Sequence, residues 1–186
     1  YRTKLILEGE EGVDAEKSKK FSLLPHQEIV RDYLNDYTPY RGLLFYHGLG
    51  SGKTCSSIAV AEGLKNTKKV IVMTPASLRM NYVEELKNCG DDLYKREQYW
   101  EFVSTKDKPE HANTLAHLLS IPRDFVRRQK GAWLVDAKKE ANFSKLSSSD
   151  RDSLNKQIDM MIKGKYEFIN YNGLRSERYR TMTNGY

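Results

Sequence analysis

Cysteine is nearly absent from this 186-residue chain: Cys55 and Cys89 are the whole complement. Two cysteines in no Cys-x-x-Cys spacing suggest neither a disulfide framework nor a zinc site, so an intracellular, reducing compartment is expected. Long hydrophobic runs are absent too. None approaches the roughly 18 residues of a spanning helix, and no signal-peptide pattern opens the chain, so a membrane partner is not expected. Acidic residues are the minority, 25 against 31 Lys and Arg, giving a net charge of +6 that suits a polyanionic partner without requiring one. The chain does not start with Met but with Tyr1, and an Asp-Glu dipeptide is missing throughout. The expectation is that Tyr1 lies inside a longer protein or at a processed start. What is present, 39% hydrophobic and 11% aromatic residues, is enough for one globular domain that buries roughly two-thirds of its unfolded surface.

The most informative stretch runs from Gly42 to Leu64. Its apolar run Leu43 to Tyr46 reads as a buried parallel strand. A turn with Gly48, Gly50 and Gly52 follows, and then Thr54 to Leu64 has Ile58, Ala61 and Leu64 at helical spacing. Glycines allow positive φ and close approach of backbone N–H groups to a polyphosphate, while the helix directs its positive dipole end at the anion. The candidate phosphate-binding set is therefore Gly48, Leu49, Gly50, Ser51, Gly52, Lys53 and Thr54. Lys53 would reach β- and γ-phosphate oxygens, and the Thr54 hydroxyl would ligate Mg²⁺. His47 stands where the usual pattern has Gly or Ala.

In chain order, residues 1–20 read as an extended arm and linker with a short strand around Leu5 to Leu7. Pro25 suits the first turn of a helix whose inward stripe would be Ile29, Val30, Tyr33 and Leu34. Gln27, some 25 residues before Lys53, offers an amide donor and acceptor that match an adenine edge; an ordinary surface glutamine is the alternative. Lys69 to Met73 reads as a second strand, leading through Thr74, Pro75, Ala76 and Ser77 into a helix that Ser77 caps and Gly90 stops. Strand, cradle, helix, strand opens a doubly wound α/β sheet, with ligands beyond the carboxyl ends of its strands. Thr74 to Arg79 lies at such an end and could hold nucleic-acid phosphates without reading sequence; a plain strand-to-helix turn is the alternative.

Tyr99 to Ser104 reads as a third strand, and Thr114 to Leu119 as a helix stopped by Pro122. Ala132 to Asp136 imitates a strand bearing a magnesium-ordering aspartate. Ala137, Lys138 and Lys139 follow where a glutamate should stand, so it is assigned to an accessory strand or hairpin of an insert at about residues 105–150. A further helix, capped by Ser148 or Ser149, would bury Leu154, Ile158, Met161 and Ile162 and end at Gly164. Tyr166 to Tyr171 is the last strand; its aromatic alternation reads mostly as core, with Tyr171 and Asn172 at the strand end able to stack on or hydrogen-bond a nucleotide. Beyond Arg175 no periodicity is visible.

Taken together, Leu24-Pro25-His26-Gln27, His47 to Thr54, Thr74-Pro75-Ala76-Ser77-Leu78 and Phe168-Ile169-Asn170-Tyr171 resemble the first motor domain of superfamily 2 helicases of the Swi/Snf-like branch. The nearest likeness is to those of large DNA viruses: the small subunit of the poxvirus early transcription factor, the poxvirus nucleoside triphosphatase, and asfarvirus and giant-virus counterparts. The resemblance implies a RecA-like P-loop NTPase domain with a central, mostly parallel sheet, incomplete at its C-terminal end, over residues 21–186. It also implies ATP and Mg²⁺ as cofactors, Gln27 on adenine, and Thr74 to Arg79 and Asn170 to Asn172 on a nucleic-acid backbone, with DNA favoured over RNA. By the same resemblance the full protein would be a viral motor linked to transcription, in virion and host cytoplasm, with viral RNA polymerase or virion proteins as partners. The family's Asp-Glu pair and second motor domain do not occur in these residues, which implies that they form the amino-terminal part of a longer motor.

Overall fold

The structure is a computed structural model that describes residues 23–183 apart from 107 and 174. The arm with its Leu5 to Leu7 strand lies outside the described residues. The first element, α1 (Pro25–Tyr33), begins as expected with proline in its first turn. Its buried face differs from the expected stripe. Val30 is buried, but Ile29 is 69% exposed, and the outer ring of Tyr33 stacks on Tyr40 with centroids 4.1 Å apart. The other buried position is Gln27, one helical turn from Val30 on the face that meets the next helix.

That helix, α2 (Lys53–Leu64), starts at Gly52 and buries Ser56, Ile58, Ala59 and Val60. The strand expected at Leu43 to Tyr46 is not formed. Residues 41–48 carry no regular secondary structure, and Leu44 and Tyr46 stand exposed. Among the described residues no strand pairs with this run, so its backbone gains nothing from being extended.

Two separate two-stranded sheets follow, where one central sheet was expected. In the first, β1 (Val70–Thr74) pairs in parallel with β4 (Tyr166–Asn170), in a register running from Val70 opposite Tyr166 to Thr74 opposite Asn170. In the second, β2 (Trp100–Ser104) pairs antiparallel with β3 (Gly131–Val135). A 3₁₀ turn over Ala76–Leu78 leads from β1 into α3 (Arg79–Cys89). Ser77 therefore does not cap α3; that position belongs to Leu78, and no side chain accepts from the first turn.

The connection from β2 to β3 holds two helices. The first, α4 (His111–Leu119), ends at Ser120 in the left-handed conformation; Pro122 does not stop it but is the N-cap of α5 (Arg123–Gln129). The basic residues Arg127 and Arg128 thus lie on a helix that periodicity did not reveal. The long helix α6 (Ser148–Lys165) is capped by Ser147, whose hydroxyl accepts from the Asp150 N–H. It continues through Gly164, because the helix passes directly into β4 and leaves no room for a stop. A short α7 (Ser176–Met182) occupies the stretch read as aperiodic.

One apolar core joins these pieces. Ile58 of α2, Val72 of β1, Leu86 of α3, Trp100 of β2 and Leu154, Ile158 and Ile162 of α6 meet in it. Polar ties reinforce it. The Gln157 amide is 1% exposed and bonds both the N–H and the carbonyl of Trp133, each at 2.8 Å, standing in for a neighbouring strand. The Lys87 ammonium, nearly buried on α3, lies 2.9 Å from Glu84 and from Asp159 of α6.

Candidate phosphate cradle and strand-end surface

The loop before α2 has the backbone that a phosphate cradle requires. Gly50 and Gly52 sit at φ 77° and 76°, in the left-handed region that L side chains avoid. They turn the chain so that the free N–H groups at the start of α2 face the loop. Lys53 bends back into it: Nζ donates to the carbonyls of Gly48 at 2.9 Å and His47 at 3.3 Å. The Ser51 hydroxyl donates to Gly48, closing the loop on itself at 2.8 Å. Thr54 stands in the first turn of α2 beside Lys53, the position from which its hydroxyl could ligate a divalent cation, and Leu49 at the loop tip is fully exposed.

Helix α1 braces this loop from behind. Gln27 is 3% exposed; its Oε1 accepts from the Leu24 N–H at 2.9 Å and its Nε2 donates to the Gly52 carbonyl at 3.2 Å. Both ends of the amide expected to read adenine are thus engaged within the chain, and the longer bond to Gly52 is the one a base would have to replace. His26 Nε2 lies 2.9 Å from the Ser51 carbonyl, so this nitrogen carries the proton. The His26 ring also meets His47 edge-on, at 5.3 Å between centroids. The bracing by His26 escaped the sequence reading, and its only signal was adjacency to Gln27.

At the carboxyl end of the parallel pair, the register sets Thr74 directly beside Asn170. Two segments far apart in sequence, Thr74 to Arg79 and Asn170 to Asn172, therefore share one sheet end. Pro75, Ala76, Ser77, Tyr171 and Asn172 are exposed there. The Arg79 guanidinium lies 5.3 Å from the Phe168 ring centroid, a cation–π contact that steadies a positive charge at this end. The Thr74 hydroxyl is buried with no hydrogen-bond partner among the described residues, an uncommon state that marks a position short of an acceptor. Behind this surface, burial raises the pKa of the Tyr82 hydroxyl, which lies 3.1 Å from Ser57.

Asp136 lies elsewhere. It follows β3 in the antiparallel sheet, where its carboxylate accepts from the Lys138 N–H and pairs with Lys139. The Lys138 N–H, first, and Lys139 hold its pKa below the usual carboxylate range.

The cysteines correct the sequence reading. Cys55, in the first turn of α2, is bonded to Cys89 at the end of α3, with Cα atoms 5.8 Å apart. The fold brings the end of α3 against α2, which no local spacing could announce; an even count was the only sign.

No protein-family model and no solved structure matches this chain. Similar proteins come from large DNA viruses. "Putative ATP-dependent RNA helicase R563" of Acanthamoeba polyphaga mimivirus is 45% identical over 76 residues, 40% of this chain and 13% of that protein. "Putative ATP-dependent RNA helicase L377" of the same virus is 25% identical over 180 residues, 89% of this chain and 16% of that protein. "Putative helicase 087L" of Invertebrate iridescent virus 3 is 34% identical over 112 residues, 51% of this chain and 11% of that protein. This chain is a homologue of viral proteins named as helicases. It spans less than a fifth of the length of the helicase relatives it matches. Its described residues are of mixed α/β class with a small parallel sheet. No helix among the described residues is long and apolar enough to cross a membrane.

Proposed function

We propose that this chain is the nucleotide-binding part of an ATP-dependent nucleic-acid motor of a large DNA virus. The observation that carries the proposal is the loop from Gly48 to Thr54. Its left-handed glycines, its lysine folded onto loop carbonyls and its place at the start of a helix fit a polyphosphate. Lys53 would exchange its carbonyl partners for β- and γ-phosphate oxygens. The Thr54 hydroxyl would hold Mg²⁺, which supplies charge neutralisation at the transferred phosphate. Gln27 would fix the loop and, by releasing Gly52, meet adenine. Thr74 to Arg79 and Asn170 to Asn172 would grip the backbone of one strand.

The two mimivirus relatives are named as RNA helicases, whereas the likeness to Swi/Snf-type motors favours DNA. A link to viral transcription, with RNA polymerase or virion proteins as partners in virion and host cytoplasm, follows the same likeness. The alternatives are a virion or transcription-complex scaffold subunit with slow or no hydrolysis, which absence of an Asp-Glu pair from the full-length protein would favour, and the motor subunit of a restriction or repair enzyme, which a nuclease domain elsewhere in the full-length protein would favour.

The test is ATP hydrolysis by the full-length protein with single- and double-stranded DNA and RNA, alongside Lys53→Ala. Turnover stimulated by one nucleic acid, and reduced roughly a hundredfold in Lys53→Ala, is expected. Near-normal turnover in Lys53→Ala would refute the cradle, and nucleotide binding without hydrolysis would favour the scaffold.

A further inference from the structure

We infer that Cys55 and Cys89 form a reversible thiol–disulfide couple that sets the affinity of the adjacent cradle for nucleotide, an inference that rests on the nucleotide-binding reading above. Cys55 lies two residues beyond Lys53 in the same helical turn, and the bridge fastens that turn to the end of α3. The helix so fastened also carries Arg79 at its start, so the couple spans the cradle and the strand-end surface.

The surroundings suit both redox states. The Glu85 carboxylate lies 3.6 Å from the Cys55 sulfur and 3.8 Å from that of Cys89, and the Glu85 carbonyl lies 3.2 Å from the Cys89 sulfur. Two thiols released by reduction would therefore find acceptors in place and leave no polar group stranded. A reductant can also reach the bond. It does so at Cys55, which is half-buried where Cys89 is 6% exposed.

Reduction proceeds by exchange with small thiols of the glutathione class. One thiolate attacks the Cys55 sulfur, the S–S bond breaks, and Cys89 leaves as a thiolate that takes up a proton. A second thiol resolves the mixed disulfide at Cys55. In sum the protein disulfide gains two electrons and two protons from two thiols, which become one small-molecule disulfide. With the bridge closed, the first turn of α2 is held in the conformation in which the loop glycines and Lys53 already form the cradle. The oxidised form loses less freedom on binding and takes nucleotide more tightly. Linkage demands the reverse as well, so nucleotide protects the bridge from reduction.

The experiment equilibrates full-length protein in mixtures of reduced and oxidised glutathione, with and without ATP. Free thiols are read by alkylation and mass spectrometry, and affinity by titration with a fluorescent ATP analogue. The oxidised form should bind about fivefold tighter or better, and saturating ATP should move the redox midpoint by the same factor. Cys55→Ala combined with Cys89→Ala should keep the reduced form's affinity and lose all dependence on the mixture; the wild-type thiol readout stands even if that variant does not fold. Affinities equal within about twofold, with an unmoved midpoint, would overturn the coupling. A bridge that never forms, with zinc held instead by Cys55, Glu85 and Cys89, would overturn the redox role. Absence of nucleotide binding in both forms would instead overturn the cradle, and the alkylation data would still report the couple by itself.

Discussion

Substituting Gly52 by alanine tests whether loop and brace act as one unit. At φ 76° an L residue is strained, at a cost of about 1–2 kcal/mol. The added Cβ would also stand 2.5 Å from the Gln27 Nε2. Gln27 is buried and cannot simply swing outward, so it must give up its bond to the Gly52 carbonyl, at about 1 kcal/mol more. Gly52→Ala should therefore destabilise the domain by about 2–3 kcal/mol, lowering its melting temperature by roughly 5–10 °C. Gly48→Ala is the control: nothing lies within 4 Å of its added Cβ, and its φ is not positive. It should stay within about 0.5 kcal/mol. Combining Gly52→Ala with Gln27→Ala should cost about 1 kcal/mol less than the sum of the single changes, since the second removes the atom that clashes. Thermal unfolding of the four variants measures all of this. Strict additivity, or equal effects at Gly48 and Gly52, would refute the bracing of the cradle by α1.

Gln157→Leu keeps the volume of a buried side chain but strips both Trp133 backbone groups of their partner. It should cost about 2–4 kcal/mol and speed hydrogen exchange at the Trp133 amide; a cost under about 0.5 kcal/mol would remove the strand-mimic role. Acid should act on the α3 network through Glu84. Burial pushes its carboxyl up, but bonds and charges from Lys87 and Arg96 push it further down, leaving its pKa below the ordinary value. A depressed carboxyl contributes stability that is full above the unfolded pKa of about 4.3 and is lost as pH falls through the folded value. The melting-temperature gap between wild type and Glu84→Gln should therefore be steady at neutral pH and close below about pH 4; a gap that widens in acid would refute the pairing.

The sequence was most legible where chemistry is local. The glycine turn at the head of α2, the strands at Val70 and Tyr166, and the buried stripe of α6 all follow from patterns a few residues long. What escaped depends on distant partners. Leu43 to Tyr46 has a strand's composition, but a strand exists only where a neighbour supplies hydrogen bonds. Gln27 has the right chemistry for a base, yet its amide is engaged by Leu24 and Gly52, a contact that rests on how α1 lies against α2. Ile29 and Tyr33 were assigned inward by apolar character alone, while α1 meets α2 through its opposite side. The Cys55–Cys89 bond closes across a strand, a turn and a helix. The nearness of Thr74 to Asn170 needed the register of a parallel pair that only the fold provides.

That parallel pair also sets a timetable for synthesis. β1 leaves the ribosome with Val70, Ile71, Val72 and Met73 in one run, but the strand that pairs with it is β4. Roughly a hundred more residues must be made first, about 5–20 s at ordinary elongation rates. α2 precedes β1 and α3 is finished early in that wait, so both can dock on β1 and cover one of its faces. Both of its edges and the half-exposed Ile71 and Met73 stay open to chaperones and to the nascent chains of neighbouring ribosomes. Slower translation between β1 and β4 would lengthen this window, so yield of soluble protein should respond to codon choice in that interval more than to codon choice after Asn170.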